Sequence, residues 1–127
     1  MGVVRPLPGS FRDPSGSVYQ VEGRIFRTVN ECFSPDFDFV TSTGLFKNLA
    51  AEGLLLPFEV VSSEILKLSD PKPRYVLETP RLPFISFPYE WSFSALKAAA
   101  LLHLRIHLQA LEVGVTLSDA SAYNIQF

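Results

Sequence analysis

The sequence predicts an α+β domain in which a small antiparallel sheet with short helices precedes one long C-terminal helix. Two β-rich runs split by a two-residue turn lie near the start of the chain. An apolar pattern with three- and four-residue steps extends from Ser92 to Gly114. Since 47% of the 127 residues are hydrophobic, the chain can bury one core, so we expect a single domain, 1–127, with a sheet-containing part at 1–91 and a helix and loop at 92–127.

The first two strands are expected to form a hairpin. The runs VYQV and RIFRTV are rich in β-branched and aromatic residues, and Glu22 and Gly23 separate them. Glycine can supply the positive φ that a tight hairpin turn requires. The preceding segment, RPLPGSFRDPSGS, is dense in proline, glycine and serine, which predicts a loop.

A broken helix and short strands are expected next. In SPDFDFVTSTGLFKNLAAEG, Ser34 can cap the first turn and Pro35 suits the first helical position. Gly44 predicts a break and Gly53 a stop. The apolar runs LLLPFEVV, EILKL and RYVLETPRLPFISFPYEW follow, and the prolines among them predict short strands joined by turns.

The long helix is expected to begin at a serine cap and to end at a glycine. Between Ser92 and Gly114 its apolar positions are Phe93, Leu96, Ala100, Leu104, Leu108 and Leu111. The chain then ends with VTL, the polar SDASAY and the apolar NIQF, which we expect to be a strand. An unpaired strand edge there favours a natural protein that continues past Phe127, and it also offers a contact for an oligomer.

Charge and targeting signals exclude several classes of partner. The formal net charge of −2 provides no field that would attract nucleic acid or an anionic membrane, so we expect neither partner. The N-terminus has no apolar signal core, and the longest apolar tract, around Ala98–Leu104, is interrupted by His103 and Arg105. We therefore expect a cytoplasmic protein.

Three residues that could bind a metal or react are expected to be structural. His103 and His107 lie one helical turn apart, but no carboxylate-rich motif accompanies them, so no metal site is predicted. Cys32 is the single cysteine, which excludes an intrachain disulfide, and we expect a buried, inert thiol.

The most informative spacing joins Asp119 and Asn124, which follow the long helix. In such a loop the aspartate can orient a nucleophilic hydroxyl while the asparagine ligates Mg²⁺. The alternative is a polar turn in which both side chains satisfy neighbouring backbone groups. GVTLSDASAYNIQF resembles the catalytic loop of protein kinases and of the aminoglycoside-phosphotransferase family, with Leu117 and Ser118 where those families carry a histidine.

The hairpin is similar to the small lobe of the same families. In GSVYQVEGRIFRTV, Arg27 stands where they carry a phosphate-binding lysine, and RYVLETPRLPFISFPYEWSF resembles their last strands and hinge, with Glu90 at the hinge. The resemblance implies a kinase-like small lobe followed by the start of a large lobe. We expect Arg24 and Arg27 on one strand face as a candidate anion contact, or as a solvated face. Glu90 is a candidate ligand contact or a helix cap.

The whole chain also resembles the N-terminal region of a bacterial family of class I S-adenosylmethionine-dependent methyltransferases, labelled nodulation-related. The resemblance lies in RPLPGSFRDPSGSVYQVEGRIFRTVNE, LPFISFPYEWSFSALKAAALLHL and LSDASAYNIQF. It implies a C-terminal methyltransferase domain as partner in the same protein. S-adenosylmethionine is implied as the cofactor of that domain alone, and no cofactor is expected in this chain.

The expected function is therefore an accessory or recognition module of a methyltransferase protein, with little activity in isolation. One alternative is a fragment of a kinase-like phosphotransferase that binds Mg-nucleotide through Asp119, Asn124 and Arg27. A second alternative is a winged-helix DNA-binding module, which LFKNLAAEGLLL followed by short strands suggests, although Lys47 is its only cation.

Overall fold

The structure is a computed structural model that describes residues 4, 6–7, 14–68, 72–118 and 120–127. The described residues contain one four-stranded antiparallel sheet and three α-helices, which confirms the α+β prediction. The chain divides into two compact units: a sheet unit, Met1–Ser42 with Leu56–Arg81, and a helical unit, Thr43–Leu55 with Leu82–Phe127. The proposed boundary at residue 91 stays a prediction.

The sheet has the strand order β1-β2-β4-β3, and every neighbouring pair is antiparallel. Its strands are β1 (Val18–Val21), β2 (Arg24–Val29), β3 (Glu59–Val61) and β4 (Tyr75–Thr79). The predicted hairpin is confirmed, because β1 pairs with β2 across Glu22 and Gly23. These two residues have φ values of 51° and 78°, so the turn requires the left-handed conformation of both and not of the glycine alone.

The core of the sheet unit is formed by Phe26, Leu66 and Val76, which are each at most 1% exposed. Leu66 belongs to a 3-10 helix, Ser63–Leu66, and the side chain of Ser62 accepts a hydrogen bond from the Glu64 amide at 3.3 Å. The strand predicted at EILKL is therefore wrong. A strand would alternate its apolar residues between two faces, whereas this turn directs Leu66 onto the sheet.

Two helices follow the hairpin in sequence, α1 (Ser34–Thr43) and α2 (Leu45–Ala51). The predicted break and stop are confirmed, since Gly44 and Gly53 both have a φ between 72° and 78°. The predicted Ser34 cap is wrong: Ser34 is already helical, and its hydroxyl donates to the carbonyl of Glu31 at 3.0 Å.

The long helix of the helical unit is α3 (Phe93–Glu112), and both of its predicted ends are confirmed. The Ser92 hydroxyl accepts a hydrogen bond from the amide of Ala95 at 3.2 Å, as expected for an N-cap. Gly114, with a φ of 78°, follows the last turn. In the described part of the chain, no helix combines the length and apolar character that spanning a membrane requires.

The end of the chain is not a strand. Residues 120–127 contain a 3-10 helix, Ala122–Asn124, and no strand, so the edge expected to serve an oligomer is absent there. The side chain of Gln126 instead accepts from the amide of Ser86 at 2.8 Å and donates to its carbonyl at 3.0 Å. A side-chain amide thus makes the two hydrogen bonds that a paired strand would have supplied.

The residues from 80 to 92 are also without a strand. They contain a 3-10 helix, Pro88–Glu90, and the indole of Trp91 donates to the hydroxyl of Ser86 at 2.9 Å. The Trp91 ring meets the ring of Phe127 edge-on at 4.9 Å. Short strands joined by turns were expected here, but the prolines of this segment and these side-chain contacts favour turns throughout.

Candidate functional site

The two arginines of β2 lie on opposite faces of the sheet. Arg24 lies over the ring of Phe26 at 5.0 Å, on the face that carries the core. Arg27 is three positions further on, and its strand partners are Val18 and Leu77. The expectation of one shared face is wrong, because successive strand residues alternate between faces and a separation of three changes the face.

Arg24 forms a bidentate ion pair with Glu78 of β4. Its Nε and Nη2 atoms donate to the two carboxylate oxygens at 2.8 and 2.7 Å. This hydrogen bonding lowers the pKa of Glu78 and raises the pKa of Arg24. Glu59 lies directly opposite Glu78 on β3. The arginine that was expected to contact an anion is therefore engaged within the protein.

Arg27 lies on the face against which α1 packs. Val29 shares that face and pairs with Tyr75, whose ring lies 5.2 Å from the ring of Phe37 in α1. The Tyr75 hydroxyl donates to Oδ1 of Asp38 at 2.7 Å, and this bond raises the pKa of Tyr75. Arg27 itself is exposed. The Asp38–Tyr75 contact was not predicted, because the two residues are far apart in sequence.

The remaining predicted site residues belong to the helical unit. Asp119 lies outside the described residues, so its role stays a prediction. Asn124 is exposed and is the last residue of the 3-10 helix Ala122–Asn124. Its backbone N–H donates a hydrogen bond to the backbone carbonyl of Ser121 at 3.0 Å. Glu90 ends the turn Pro88–Glu90 and is also exposed. Glu90 therefore does not cap α3, whose N-cap is Ser92.

The histidines and the cysteine have no arrangement typical of a metal site in the described part of the chain, where no group of three or more metal-binding side chains occurs. Nε2 of His107 lies 3.1 Å from the hydroxyl of Thr116, and His103 is half-buried. The expectation of a buried Cys32 is wrong: its thiol is exposed and lies 3.3 Å from the carbonyl of Pro14.

Two shallow pockets lie in the sheet unit. One, of about 300 Å³, is lined by two acidic residues, Glu59 and Glu78, and by Pro57, Phe58, Thr79 and Pro80. The other, of about 180 Å³, contains Arg24, Lys67 and Glu22 above an apolar floor. The Arg24–Glu78 pair contributes to both pockets, so each is formed in part by side chains that already bind one another.

A larger exposed feature is the apolar side of α3, which we call the leucine stripe. It consists of Leu101, Leu104, Leu108 and Leu111, which are between 55% and 64% exposed. The sequence periodicity predicted the helix that carries these residues and gave Leu104, Leu108 and Leu111 among its apolar positions, whereas Leu101 was not among them. Exposed contiguous apolar surface on a soluble domain is typical of a contact surface for another polypeptide.

The candidate DNA-reading helix is α2, which has seven residues and exposes Lys47 as its one cation. Helices that read a DNA groove usually present several cations to the phosphates. No described feature therefore favours the winged-helix alternative, which stays a prediction.

The fold and its surfaces define an α+β protein with a small antiparallel sheet and an exposed apolar helix. No protein-family model and no solved structure matches the chain. Among curated proteins, the chain is 43% identical over 121 residues to "Nodulation protein NoeA" of Rhizobium meliloti (strain 1021). The alignment covers 95% of this chain and 25% of the relative, so the chain spans about a quarter of that protein's length. The expected resemblance to a bacterial nodulation-related protein is confirmed, whereas its methyltransferase part stays a prediction.

Proposed function

We propose that this domain is the accessory, recognition module of a longer bacterial nodulation-related protein whose methyltransferase domain lies outside this sequence. The observation that carries the proposal is the alignment, which covers nearly the whole chain but a quarter of the relative. S-adenosylmethionine would be bound by the other domain. The cytoplasmic location expected from the sequence is part of the same proposal.

The contacts of the charged residues support recognition as the role of this domain. Arg24 and Glu78 pair with each other, and so do Asp38 and Tyr75. The leucine stripe of α3, in contrast, is an exposed row of apolar side chains with no polar group to offer a reacting substrate. A surface of this kind binds polypeptide, whereas perturbed and convergent titratable groups are what a catalytic site requires.

Calorimetric titration with S-adenosylmethionine tests whether the cofactor binds outside this domain. The full-length relative is expected to bind the cofactor, and the 127-residue chain alone is expected not to bind it. Binding by the isolated chain would show that the cofactor site lies in this domain. Absence of binding by the full-length relative would remove the methyltransferase assignment. Either result overturns the proposal.

A second candidate is a kinase-like domain that binds Mg-nucleotide. Its support is the strand order β1-β2-β4-β3, in which a hairpin, a helix and two further antiparallel strands follow one another as in the small lobe that the sequence resembles. Arg27 lies on β2, on the sheet face against which α1 packs. In the small lobe of a kinase, the phosphate-binding lysine is likewise on a strand and pairs with the helix that covers the sheet.

Titration of the chain with a nonhydrolysable ATP analogue and Mg²⁺ separates the two candidates. Binding that Arg27→Ala and Asn124→Ala abolish, and that Lys47→Ala leaves unchanged, would favour the nucleotide-binding candidate. Lys47 is a suitable control because it is an exposed cation of α2 outside the proposed site. Absence of binding would leave the accessory module as the proposed function.

A further inference from the structure

The leucine stripe is a continuous apolar side of α3. Leu101, Leu104, Leu108 and Leu111 recur at three- and four-residue steps, which place them on one side of a helix. Their exposed fractions are 56%, 60%, 64% and 55%. Phe93, which is 82% exposed, extends the same side towards the start of the helix. An amphipathic surface helix normally turns such a side towards a core.

Contacts elsewhere on α3 fix the orientation of the helix. Ala99 and Ala110 are its buried residues, at 3% and 0% exposure. Arg105 and Gln109 each donate a hydrogen bond to Oε2 of Glu52 at 3.0 Å. Rotating the helix to bury the leucines would break these hydrogen bonds and expose the alanines. The leucine stripe is therefore exposed to solvent, since a different side of the helix packs within the helical unit.

The structure points to the occupant of the stripe: we infer that the stripe binds the part of the longer polypeptide that lies outside this sequence. The relative with 43% identity is about four times as long as the aligned region, so it contains ample chain to cover such a surface. The inference rests on the proposed function only in taking this domain to work within a longer protein. It does not require that protein to be a methyltransferase.

The composition of the stripe defines the chemistry of its occupant. Leucine side chains have no hydrogen-bonding groups, so the occupant must present large aliphatic or aromatic side chains. Lys97 lies along the same side, near Phe93, and its aliphatic stem can lie on an apolar partner while its ammonium group stays in water. Arg105 and Glu112, which lie one turn from Leu101 and Leu108, border the stripe with charges that can stay at the edge of a contact. An apolar helix or sheet face of the same polypeptide satisfies both conditions.

Thiol labelling of single-cysteine variants tests the inference. In a Cys32→Ser background, Leu108→Cys is placed in the isolated chain and in a hybrid in which this chain replaces the matching quarter of the full-length relative. The relative's other cysteines are changed to serine in the hybrid. We expect labelling at position 108 to be about ten-fold or more slower in the hybrid, because access would require local opening.

Ala98→Cys is the matched control. Ala98 is exposed on the same helix but lies outside the leucine stripe, so its labelling rate is expected to be the same in both proteins. Equal labelling of position 108 in the two proteins would overturn the inference. So would labelling that slows as the concentration of the isolated chain rises, since a second copy of this chain would then be the occupant.

Hydrogen exchange of the unmodified relative provides a measurement that does not depend on the folding of the hybrid. The segment aligned with Leu101–Leu111 is expected to be as strongly protected as the segment aligned with β2. Exchange as fast as in the isolated chain would contradict the inference. Titration of the hybrid with S-adenosylmethionine distinguishes the two proposals: protection without cofactor binding would remove the methyltransferase assignment and leave the contact surface.

Discussion

The sheet unit and the helical unit bury their apolar residues to different extents. In the sheet unit, Phe26, Leu66 and Val76 are at most 1% exposed and form a core from strands and a turn. In the helical unit, the buried residues of the 20-residue helix α3 are two alanines, while its leucine stripe is exposed. The sheet unit thus completes a core from its own residues, whereas the surface of α3 has the composition of a core that another polypeptide would complete.

Truncation of one large side chain in each unit tests whether the two units differ in how tightly they are packed. Phe26→Ala is expected to lower the free energy of unfolding of the isolated chain by about 3–5 kcal/mol, because it leaves a cavity between packed residues. Leu104→Ala, at a site that is 60% exposed, is expected to change it by less than about 0.5 kcal/mol. Urea unfolding followed by circular dichroism measures both. Equal losses would show that α3 is already part of a packed core.

The tight packing of the sheet unit also predicts that Gly16 cannot be replaced. A Cβ atom at this position would lie 1.9 Å from the carbonyl oxygen of Thr28, which is a backbone atom and cannot rotate away. Gly16→Ala is therefore expected to destabilise the chain by about 1–3 kcal/mol, as overpacking does. Thermal unfolding measures the loss. A variant as stable as the wild type would show that the segment before β1 does not lie against β2.

In the helical unit, a local cap is expected to matter more than the leucines do. Ser92→Ala removes the hydroxyl that accepts from the Ala95 amide and should cost about 1 kcal/mol. Ser92→Asp is the matched variant that retains an acceptor and is expected to restore most of the stability. Ser94→Ala, at an exposed position of the same helix, is the control. Loss of stability in the Asp variant would contradict a capping role.

The smallest expected effect concerns the exposed pair of Arg24 and Glu78. Because the pKa of Glu78 is lowered in the folded state, the stabilisation is present above the ordinary carboxyl pKa of about 4.5 and is lost as the pH falls through the folded-state pKa. Denaturant midpoints of the wild type and of Glu78→Gln should therefore differ at pH 7 and converge towards pH 3. A difference that persists at low pH would show that the carboxylate charge is not responsible.

Elements with strong local signals were predictable from the sequence. The hairpin around Glu22 and Gly23 and the helix between Ser92 and Gly114 agree with the structure, because turn and cap preferences act between residues that are close in the chain. The placement of Arg24 and Arg27 on opposite faces of the sheet could also have been predicted, since strand alternation alone determines it. The partner of Arg24 was not, because Glu78 lies 54 residues away.

The sequence was sufficient to predict the element boundaries at Gly44, Gly53, Ser92 and Gly114, and the apolar character of α3. Which apolar residues are buried depends on tertiary packing. EILKL and NIQF are about as apolar as the segments that form strands. Leu66 of EILKL nevertheless lies in a 3-10 helix that packs on the sheet, and Gln126 of NIQF forms side-chain hydrogen bonds with Ser86. The physical reason is that short apolar runs carry no periodic signal, so the partner available in space selects their conformation.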